Sequence, residues 1–408
     1  LQYLERYAEP EISVLTALDI GDYAHCLVIP AHRERPESIQ QIWPHADPQL
    51  LMILVVNSWD ADDDISQQML QKLTREAGQQ AGHLHYIRRT NRPDLLVVDR
   101  CHPGQLIPRP QGVGLARKIG ADLALALICS GAVKSPLINS TDADVILPNN
   151  YFDLPTPKLS TAAILQPFRH YFDAELELAS RLYDIAMYYY VRGLRFAGSG
   201  YAFHTIGSTL RINAKHYAQV RGFPKRNAAE DFYMLNKLAK TGQIENHPGT
   251  AISIQARLSD RAPFGTGPAL RAISSLATPI TEYGFYDPRV FDMLRIFLAT
   301  ADQLHNEDPE TCFQAVPEIL SWLKQSDLYQ LLAKQRRSSN LVFQRFLRDW
   351  FDSFQTLKFI HFMRDQYLPS VAIDSICDGM VLPKAHIQNL ESVRWLHRVL
   401  TEEPDPDL

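Results

Sequence analysis

Leu50-Leu51-Met52-Ile53-Leu54-Val55-Val56 runs directly into Asn57-Ser58-Trp59-Asp60. A run that is apolar at every position suits a strand buried on both faces, and such strands belong to parallel sheets covered by helices. Upstream, Cys26–Ile29 is a shorter apolar run that ends at Pro30, and Pro36–Trp43 reads as a short helix with Glu37 in its first turn. Downstream, Ile65–Ala77 carries Ile65, Met69, Leu70 and Leu73 at helical spacing, and Leu84–Ile87 and Leu95–Val98 read as strands. Gly112–Leu127 reads as a helix with a glycine-rich entry, and Leu137–Asn139 as a strand entering Ser140-Thr141-Asp142-Ala143-Asp144. Alternation at this pitch predicts an α/β domain with a mainly parallel sheet.

The texture changes after about Pro268. Val290–Ala301, Pro309–Lys324, Leu328–Lys334, Leu341–Thr356 and Ile387–Leu400 all repeat apolar residues at three and four, and Pro317 is placed to split the second of them. The expected organisation is an α/β, Rossmann-like domain over residues 1–268, with its core at 24–260, followed by an all-helical domain over 269–408. Trp322, Trp350 and Trp395 are expected in the helical core.

Composition bounds the function. The 408 residues are 46% hydrophobic and 21% charged, an ordinary globular balance that excludes disorder and disulfide-stapled mini-proteins. A net charge of −5 argues against binding nucleic acid through bulk electrostatics. The five cysteines, Cys26, Cys101, Cys129, Cys312 and Cys377, form no C-x-x-C pair, so a reduced, cytoplasmic location is expected. The longest apolar stretch, Ala121–Ile138, is interrupted by Asp122 and Lys134, which leaves peripheral contact as the form of membrane association to consider.

Ligands of open parallel sheets bind beyond the carboxyl ends of the strands. Those ends here are Pro30-Ala31-His32-Arg33-Glu34, Asn57-Ser58-Trp59-Asp60 with Asp62–Asp64 beyond, and Asp142-x-Asp144. Gathered carboxylates repel unless a cation or basic group balances them. Asp142 and Asp144 form the sharpest pair: two carboxylates one residue apart, just past a strand, can both reach a hard divalent cation that keeps sites free for phosphate oxygens. The alternative is an Asx-turn with two solvated aspartates. Farther on, Arg221-Gly222-Phe223-Pro224 makes a turn before a predicted amphipathic helix, Ala228–Thr241. Glu230 and Asp231 in its first turn either complement the helix dipole or supply a general base.

In their order, these pieces resemble a known family. Val28-Ile29-Pro30-Ala31-His32, Gly114-Leu115-Ala116-Arg117-Lys118-Ile119-Gly120, Asp142-Ala143-Asp144, Gly222-Phe223 and Glu230-Asp231 are similar to the motifs of GT-A glycosyltransferases, specifically family 2, over roughly residues 24–260. The resemblance implies a GT-A fold and transfer of a sugar from a nucleotide-diphosphate sugar, with UDP or GDP as nucleotide, to a hydroxyl acceptor. It implies a divalent cation, Mn2+ or Mg2+. Carried over, Pro30, Ala31, His32 and Glu34 line the nucleotide pocket, Asn57 lies at the base-recognising strand end, and Arg117 faces the nucleotide or its phosphates. Asp142 lies by the ribose or metal, Asp144 ligates the metal, Asp231 is the catalytic base, and Glu230 orients substrate beside it.

Second-tier candidates follow. Gly198, Ser199 and His204 lie in a glycine-broken loop that either approaches donor and acceptor or simply connects helix to strand. Arg257 and Arg261 stand in Arg257–Gly267, which has the cations and glycines of a lid over a diphosphate and equally those of an exposed linker. His247 is a candidate third metal ligand or a loop residue. Tyr188-Tyr189-Tyr190, on a predicted helix Glu175–Val191, would stack an acceptor or pack the helix. Oligomerisation is expected, if at all, through the helical domain.

The chain departs from the family pattern where Asn57-Ser58-Trp59 replaces an Asp-Asp-Gly run, where Lys118 replaces Asn, and where Arg221 replaces the first Gly of a Gly-Gly-Phe turn. The Glu-Asp pair favours inversion at the anomeric carbon; a retaining enzyme without a dedicated base is the alternative. A sugar-phosphate nucleotidyltransferase would want a glycine-rich loop after the first strand, which is absent. A non-catalytic nucleotide-sugar-binding or scaffolding protein on this fold is the reading from another class.

Overall fold

The computed structural model describes residues 2–76, 78–153, 155–258 and 265–401. Contacts divide the chain into two compact units: Leu1–Tyr171 with Thr205–Gly265, and Phe172–His204 with Thr266–Asp407. Among the described residues no helix is long and apolar enough to cross a membrane.

The first unit opens with α1 (Gln2–Arg6) and α2 (Glu11–Leu15), then β1 (His25–Ala31), α3 (Pro36–Ile42), β2 (Leu50–Asn57) and α4 (Asp64–Leu73). Next come β3 (Gln79–Ala81), β4 (Leu84–Ile87), β5 (Asp94–Arg100), α5 (Gly112–Ser130), β6 (Leu137–Ser140), β7 (Val145–Ile146), β8 (Thr161–Leu165) and β9 (Phe168–Tyr171). The chain leaves this unit through α6 (Glu177–Phe196) and returns with β10 (Leu210–Asn213), α7 (Ala214–Gln219), α8 (Glu230–Leu238), β11 (Gln243–Asn246) and β12 (Ile252–Gln255).

The main sheet has the order β11-β8-β10-β6-β1-β2-β5-β4-β3. Its centre, β6-β1-β2-β5, is parallel throughout, as the two-sided burial of β2 demands. Antiparallel β10 and the β4–β3 hairpin flank that centre, and a small sheet, β7-β12-β9, stands apart. Helix α5 packs against the sheet at Gly120, where a Cβ would meet Val28 Cγ1 at 2.4 Å. It ends at Gly131, whose left-handed φ of 84° closes the last turn through an N–H donated to the Ile128 carbonyl.

A buried polar cluster anchors α1 to α5. Lys118 Nζ donates to Asp122 Oδ2 at 2.6 Å, and the hydroxyls of Tyr3 and Tyr217 donate to Asp122 Oδ1 at 2.6 and 2.7 Å. Burial drives the Asp122 pKa upward against Lys118 and the two donors. Lys118, which stands where the family pattern has Asn, is thereby given a structural role.

The second unit is helical: α6, then α9 (Thr266–Ser274), α10 (Pro279–Glu282), α11 (Pro288–Thr300), α12 (Pro309–Cys312), α13 (Pro317–Gln325) and α14 (Asp327–Gln335). It closes with α15 (Asn340–Trp350), α16 (Ser353–Gln366), α17 (Ile373–Ile376) and α18 (Leu390–Thr401). Pro317 does split the predicted Pro309–Lys324 helix, opening α13 at a position where its missing N–H costs nothing. The predicted Leu341–Thr356 helix also breaks, because Asp352 caps α16 by accepting from the N–H groups of Phe354 and Gln355. Phe297, Phe313, Trp322 and Phe359 form the aromatic core. Trp395, expected there, is 41% exposed. Helix α6 belongs with this unit: Gly193 lies so close to Phe291 of α11 that a Cβ would meet the ring at 2.5 Å, and Asp184 pairs with His397 of α18 at 3.0 Å.

Candidate functional site

The parallel registers set the site. Ala31 pairs with Val56 and Val28 with Ser140, so the segments after β1, β2 and β6 leave the sheet at one edge. Thr141 still donates its N–H to the Val28 carbonyl at 3.0 Å; beyond it Asp142-Ala143-Asp144 turns off toward β7. The β6 ladder thus stops before Pro30, which could not have donated to it. Pro30 and Ala31 are buried, and Glu34 is buried beyond them.

Arg117 is the junction of this edge. It lies on α5, 3% exposed, and its Nε donates to Glu230 Oε1 at 2.8 Å while Nη1 donates to Ser140 Oγ at 2.8 Å. Its Nη2 pairs with Asp142 Oδ1. Burial works to lower the guanidinium pKa; Asp142 and Glu230 outweigh it and hold the pKa above the ordinary value. Glycines make room for the arrangement. At Gly114 a Cβ would meet the Pro224 carbonyl at 2.4 Å, so α5 comes against the turn leading to Glu230. At Gly207 it would meet Arg117 Nη2 at 2.4 Å.

Glu230 and Asp231 open α8 behind Ala229, whose φ of 58° is unusual for a residue with a side chain. Glu230 turns inward and is 4% exposed. Asp231 accepts its neighbour Phe232's N–H at 2.7 Å. Its pKa is pushed up to about 7 by burial and by the Glu230 charge, with Asp142 adding to the rise and Arg117 opposing it. A carboxylate titrating near neutrality can both accept and release a proton at working pH.

Arg257, just beyond β12, reaches the other half of the D-x-D segment. Its Nη2 lies 3.0 Å from Asp144 Oδ2 and pairs with Glu34 Oε1, while Nη1 donates to Glu34 Oε2 at 3.3 Å. Gln255 N–H donates to the Asp144 carbonyl at 3.1 Å and fixes β12 to the same turn. Burial works against the Arg257 charge, but Glu34 and Asp144 raise its pKa. Around this edge Glu34, Asp142, Asp144, Glu230 and Asp231 thus face Arg117 and Arg257. The excess of carboxylate oxygen, with Asp142 and Asp144 part-exposed, suits a hard divalent cation completed by water and phosphate oxygens.

At the β1 and β2 ends, His32 Nδ1 meets the Asn57 carbonyl at 2.9 Å and its ring lies 4.3 Å from that of Trp59. Asp63 caps α4, accepting from Ser66 N–H and Oγ at 3.3 and 2.8 Å, and lies 3.7 Å from both His32 Nδ1 and Arg33 Nε. Burial would raise the Asp63 pKa; the Ser66 donors and His32 hold it below the ordinary value. Asn57 Oδ1 is buried without a hydrogen-bond partner among the described residues.

The remaining candidates fall elsewhere. Gly198, with φ 75°, and Ser199 close the C-terminus of α6 in the second unit, through N–H bonds to the Arg195 and Leu194 carbonyls. His204, in the same unit, packs on Tyr188 at 4.6 Å, and burial lowers its pKa to about 4. Tyr189 donates to the Tyr286 carbonyl at 2.9 Å, a helix-packing role. His247 follows β11 and its Nδ1 takes the Gly249 N–H at 2.9 Å. Arg261 and most of the predicted lid lie outside the described residues. Ser140, Gly207, Trp59 and Asp63 join the site without having been singled out as site residues in the sequence. Ser140, two residues before Asp142, and Trp59 and Asp63, in the segment after the second apolar run, carried a positional signal, and Gly207 carried none.

No family model matches the chain, and no curated protein matches it. Among solved structures it is similar to the mannosyltransferase PcManGT from Pyrobaculum calidifontis in complex with GDP-Man and Mn2+. The two are 12% identical, the match covers 90% of this chain and 94% of that one, and the TM-score is 0.34.

Proposed function

We propose that the first unit carries a GT-A-like, family 2-like glycosyltransferase site that moves a sugar from a nucleotide-diphosphate sugar to a hydroxyl acceptor with inversion. The observation that carries this reading is the Arg117 junction: one guanidinium bonds Asp142 of the D-x-D segment and Glu230 beside Asp231. Groups from distant parts of the sequence are thereby held at one sheet edge, and Asp231 among them titrates at about 7.

In this reading Asp231 accepts the proton of the acceptor hydroxyl as its oxygen bonds to the anomeric carbon. The carbon–oxygen bond to the diphosphate breaks on the opposite face, and the electron pair leaves with the nucleoside diphosphate. Glu230, fixed by Arg117, keeps Asp231 basic enough to take that proton. Asp142 and Asp144 would hold Mn2+ or Mg2+, which when bound neutralises charge developing on the departing diphosphate. Arg257 is the cation placed to exchange Asp144 and Glu34 for phosphate oxygens. His32, Trp59 and Asn57 would receive the nucleotide, the buried Asn57 Oδ1 being an acceptor ready for a base or ribose donor.

The test is thermal stabilisation of the full chain by UDP-, GDP- and dTDP-sugars with and without Mn2+, followed by product analysis with the stabilising donor. Metal-dependent stabilisation by one donor and hydrolysis or transfer of its sugar are expected. Stabilisation without turnover would favour the non-catalytic binding protein, and no response to any donor would end the nucleotide-sugar reading.

A further inference from the structure

The carboxyl end of β5 gathers ligating side chains that the proposed reaction does not use. Asp99, Cys101 and His102 each offer one ligand atom, all within 4.8 Å of one another. Cys101 Sγ lies 3.5 Å from Asp99 Oδ1, and His102 Nδ1 lies 2.7 Å from Asp99 Oδ2. Cys101 is buried and His102 is exposed, so the group opens to solvent on one side.

A fourth residue, a second imidazole, stands on the neighbouring strand, outside that 4.8 Å group. β4 runs antiparallel to β5 with His85 opposite Val97. Alternation puts Val97 and Asp99 on one face, so His85 is a diagonal neighbour of Asp99 on that face. His85 is half-buried, and its charge couples to Asp99 and to His102. A carboxylate oxygen, a sulfur and two imidazole nitrogens are donors that zinc accepts, whereas magnesium and manganese avoid the thiolate.

We propose that Asp99, Cys101, His102 and His85 form a structural zinc site, separate from the D-x-D segment. With zinc bonds of 2.0–2.3 Å, tetrahedral ligand atoms stand about 3.3–3.8 Å apart. The Asp99–Cys101 separation already has that value. His102 Nδ1 sits on the other oxygen, Asp99 Oδ2, and must leave that contact to face the ion, which its exposed position allows. Binding forms the zinc–sulfur bond and releases the Cys101 thiol proton to solvent, with no change of oxidation state. The site would staple the segment leading from β5 to α5. That segment is otherwise tied to β2 by the Ser58 N–H to the Arg100 carbonyl at 3.0 Å and the Ile107 N–H to the Ser58 carbonyl at 2.9 Å.

The experiment titrates the metal-free full chain with Co2+ and then displaces it with Zn2+, following absorption. In wild type a near-ultraviolet thiolate-to-cobalt band and intense tetrahedral visible bands should saturate at one Co2+ per chain, apart from any Co2+ taken up without a thiolate band at Asp142 and Asp144, and Zn2+ should abolish both. Asp144→Asn should keep the band, Cys101→Ser should lose it, and His85→Gln should weaken binding roughly tenfold or more. Because Cys101 is buried, His102→Gln provides a surface variant that should also weaken the band if Cys101→Ser does not fold. Absence of a thiolate band in wild type, its survival in Cys101→Ser or undiminished in His102→Gln, or wild-type affinity in His85→Gln would each overturn the assignment. None of these readouts depends on a nucleotide-sugar, so the zinc site can fail while the transferase reading stands, and the reverse.

Discussion

Arg117 Nε and Glu230 Oε1 lie 2.8 Å apart, and both side chains are almost wholly buried, 3% and 6% exposed. The contact joins α5 to the first turn of α8, and the same guanidinium extends to Ser140 and Asp142. A charge in such a place is tolerable only while its partners stay. Deleting Arg117 would leave Glu230 buried and uncompensated beside Asp231.

Arg117→Ala is therefore expected to cost about 3–5 kcal/mol of folding stability, whereas Glu230→Gln, which keeps an amide acceptor for Arg117 Nε, should cost less. Urea denaturation of the two variants and their combination checks this. The double variant should be less destabilised than the sum of the single ones, because the orphaned charge is then gone. Strict additivity would show that the two groups do not depend on each other.

The Asp231 carboxyl, raised to about 7, should impose an ascending limb on the pH–rate profile with its midpoint near that value. The sign of each perturbation follows from its cause. Glu230→Gln removes a charge that raises the pKa and should move the limb to lower pH. Asp231→Asn should abolish the limb and lower kcat by roughly 100- to 10,000-fold. For stability the direction is the reverse of the usual carboxylate. The folded chain holds the Asp231 proton between the unfolded value near 4 and about 7, so this group's contribution falls as pH rises through that window. Asp231→Asn should accordingly be more stable than wild type at pH 8, and thermal melts at pH 5 and 8 read this directly. A retaining enzyme without a dedicated base would show little loss on Asp231→Asn.

Arg257 pairs with Asp144, so in the proposed site it would compete with a cation for that carboxylate. With donor absent, Arg257→Ala should bind Mn2+ several-fold more tightly than wild type, because the carboxylates of Asp144 and Glu34 lose their guanidinium partner. With donor present the order should reverse, since the phosphates lose a charge-assisted contact. Free Mn2+ measured by electron paramagnetic resonance, with and without nucleoside diphosphate, separates the two. Equal Mn2+ affinity in both proteins would mean that the cation does not use Asp144.

The sequence made the parallel centre legible because burial on both faces leaves a continuous apolar run, as in Leu50–Val56. It exposed Arg117, Asp142 and Glu230 through their order along the chain. The antiparallel flank was harder to read: β10 is a short strand whose Arg211 is buried over Tyr151, at 3.8 Å to the ring, so a charged residue hides a core position. Helix α6 reads as part of a continuous N-terminal domain, yet its buried face is satisfied by Phe291 and His397, more than ninety positions away, and no local pattern records that. Ser140 and Gly207 meet the site at Arg117, and their residue types are common. Their roles depend on a guanidinium that chain order alone does not position.

Gly207 offers the sharpest separation of site from scaffold. It is buried ahead of β10, and its φ is not in the left-handed range, so alanine is conformationally acceptable there. What alanine would meet is Arg117 Nη2 at 2.4 Å and Cζ at 2.8 Å, the end of a side chain already fixed by three partners. The guanidinium must shift, and the bond it gives up first is the one nearest the new methyl, from Nη2 to Asp142. Gly207→Ala should therefore lower transfer at least about tenfold, at a stability cost of roughly 1–3 kcal/mol from overpacking. It should also move the Asp231 limb to higher pH, because Arg117 is the charge that holds that pKa down. Comparing pH–rate profiles of Gly207→Ala and wild type tests the chain of contacts from Gly207 through Arg117 to Asp231. A loss of activity with an unmoved limb would confine the damage to Asp142 and break that chain at its second link.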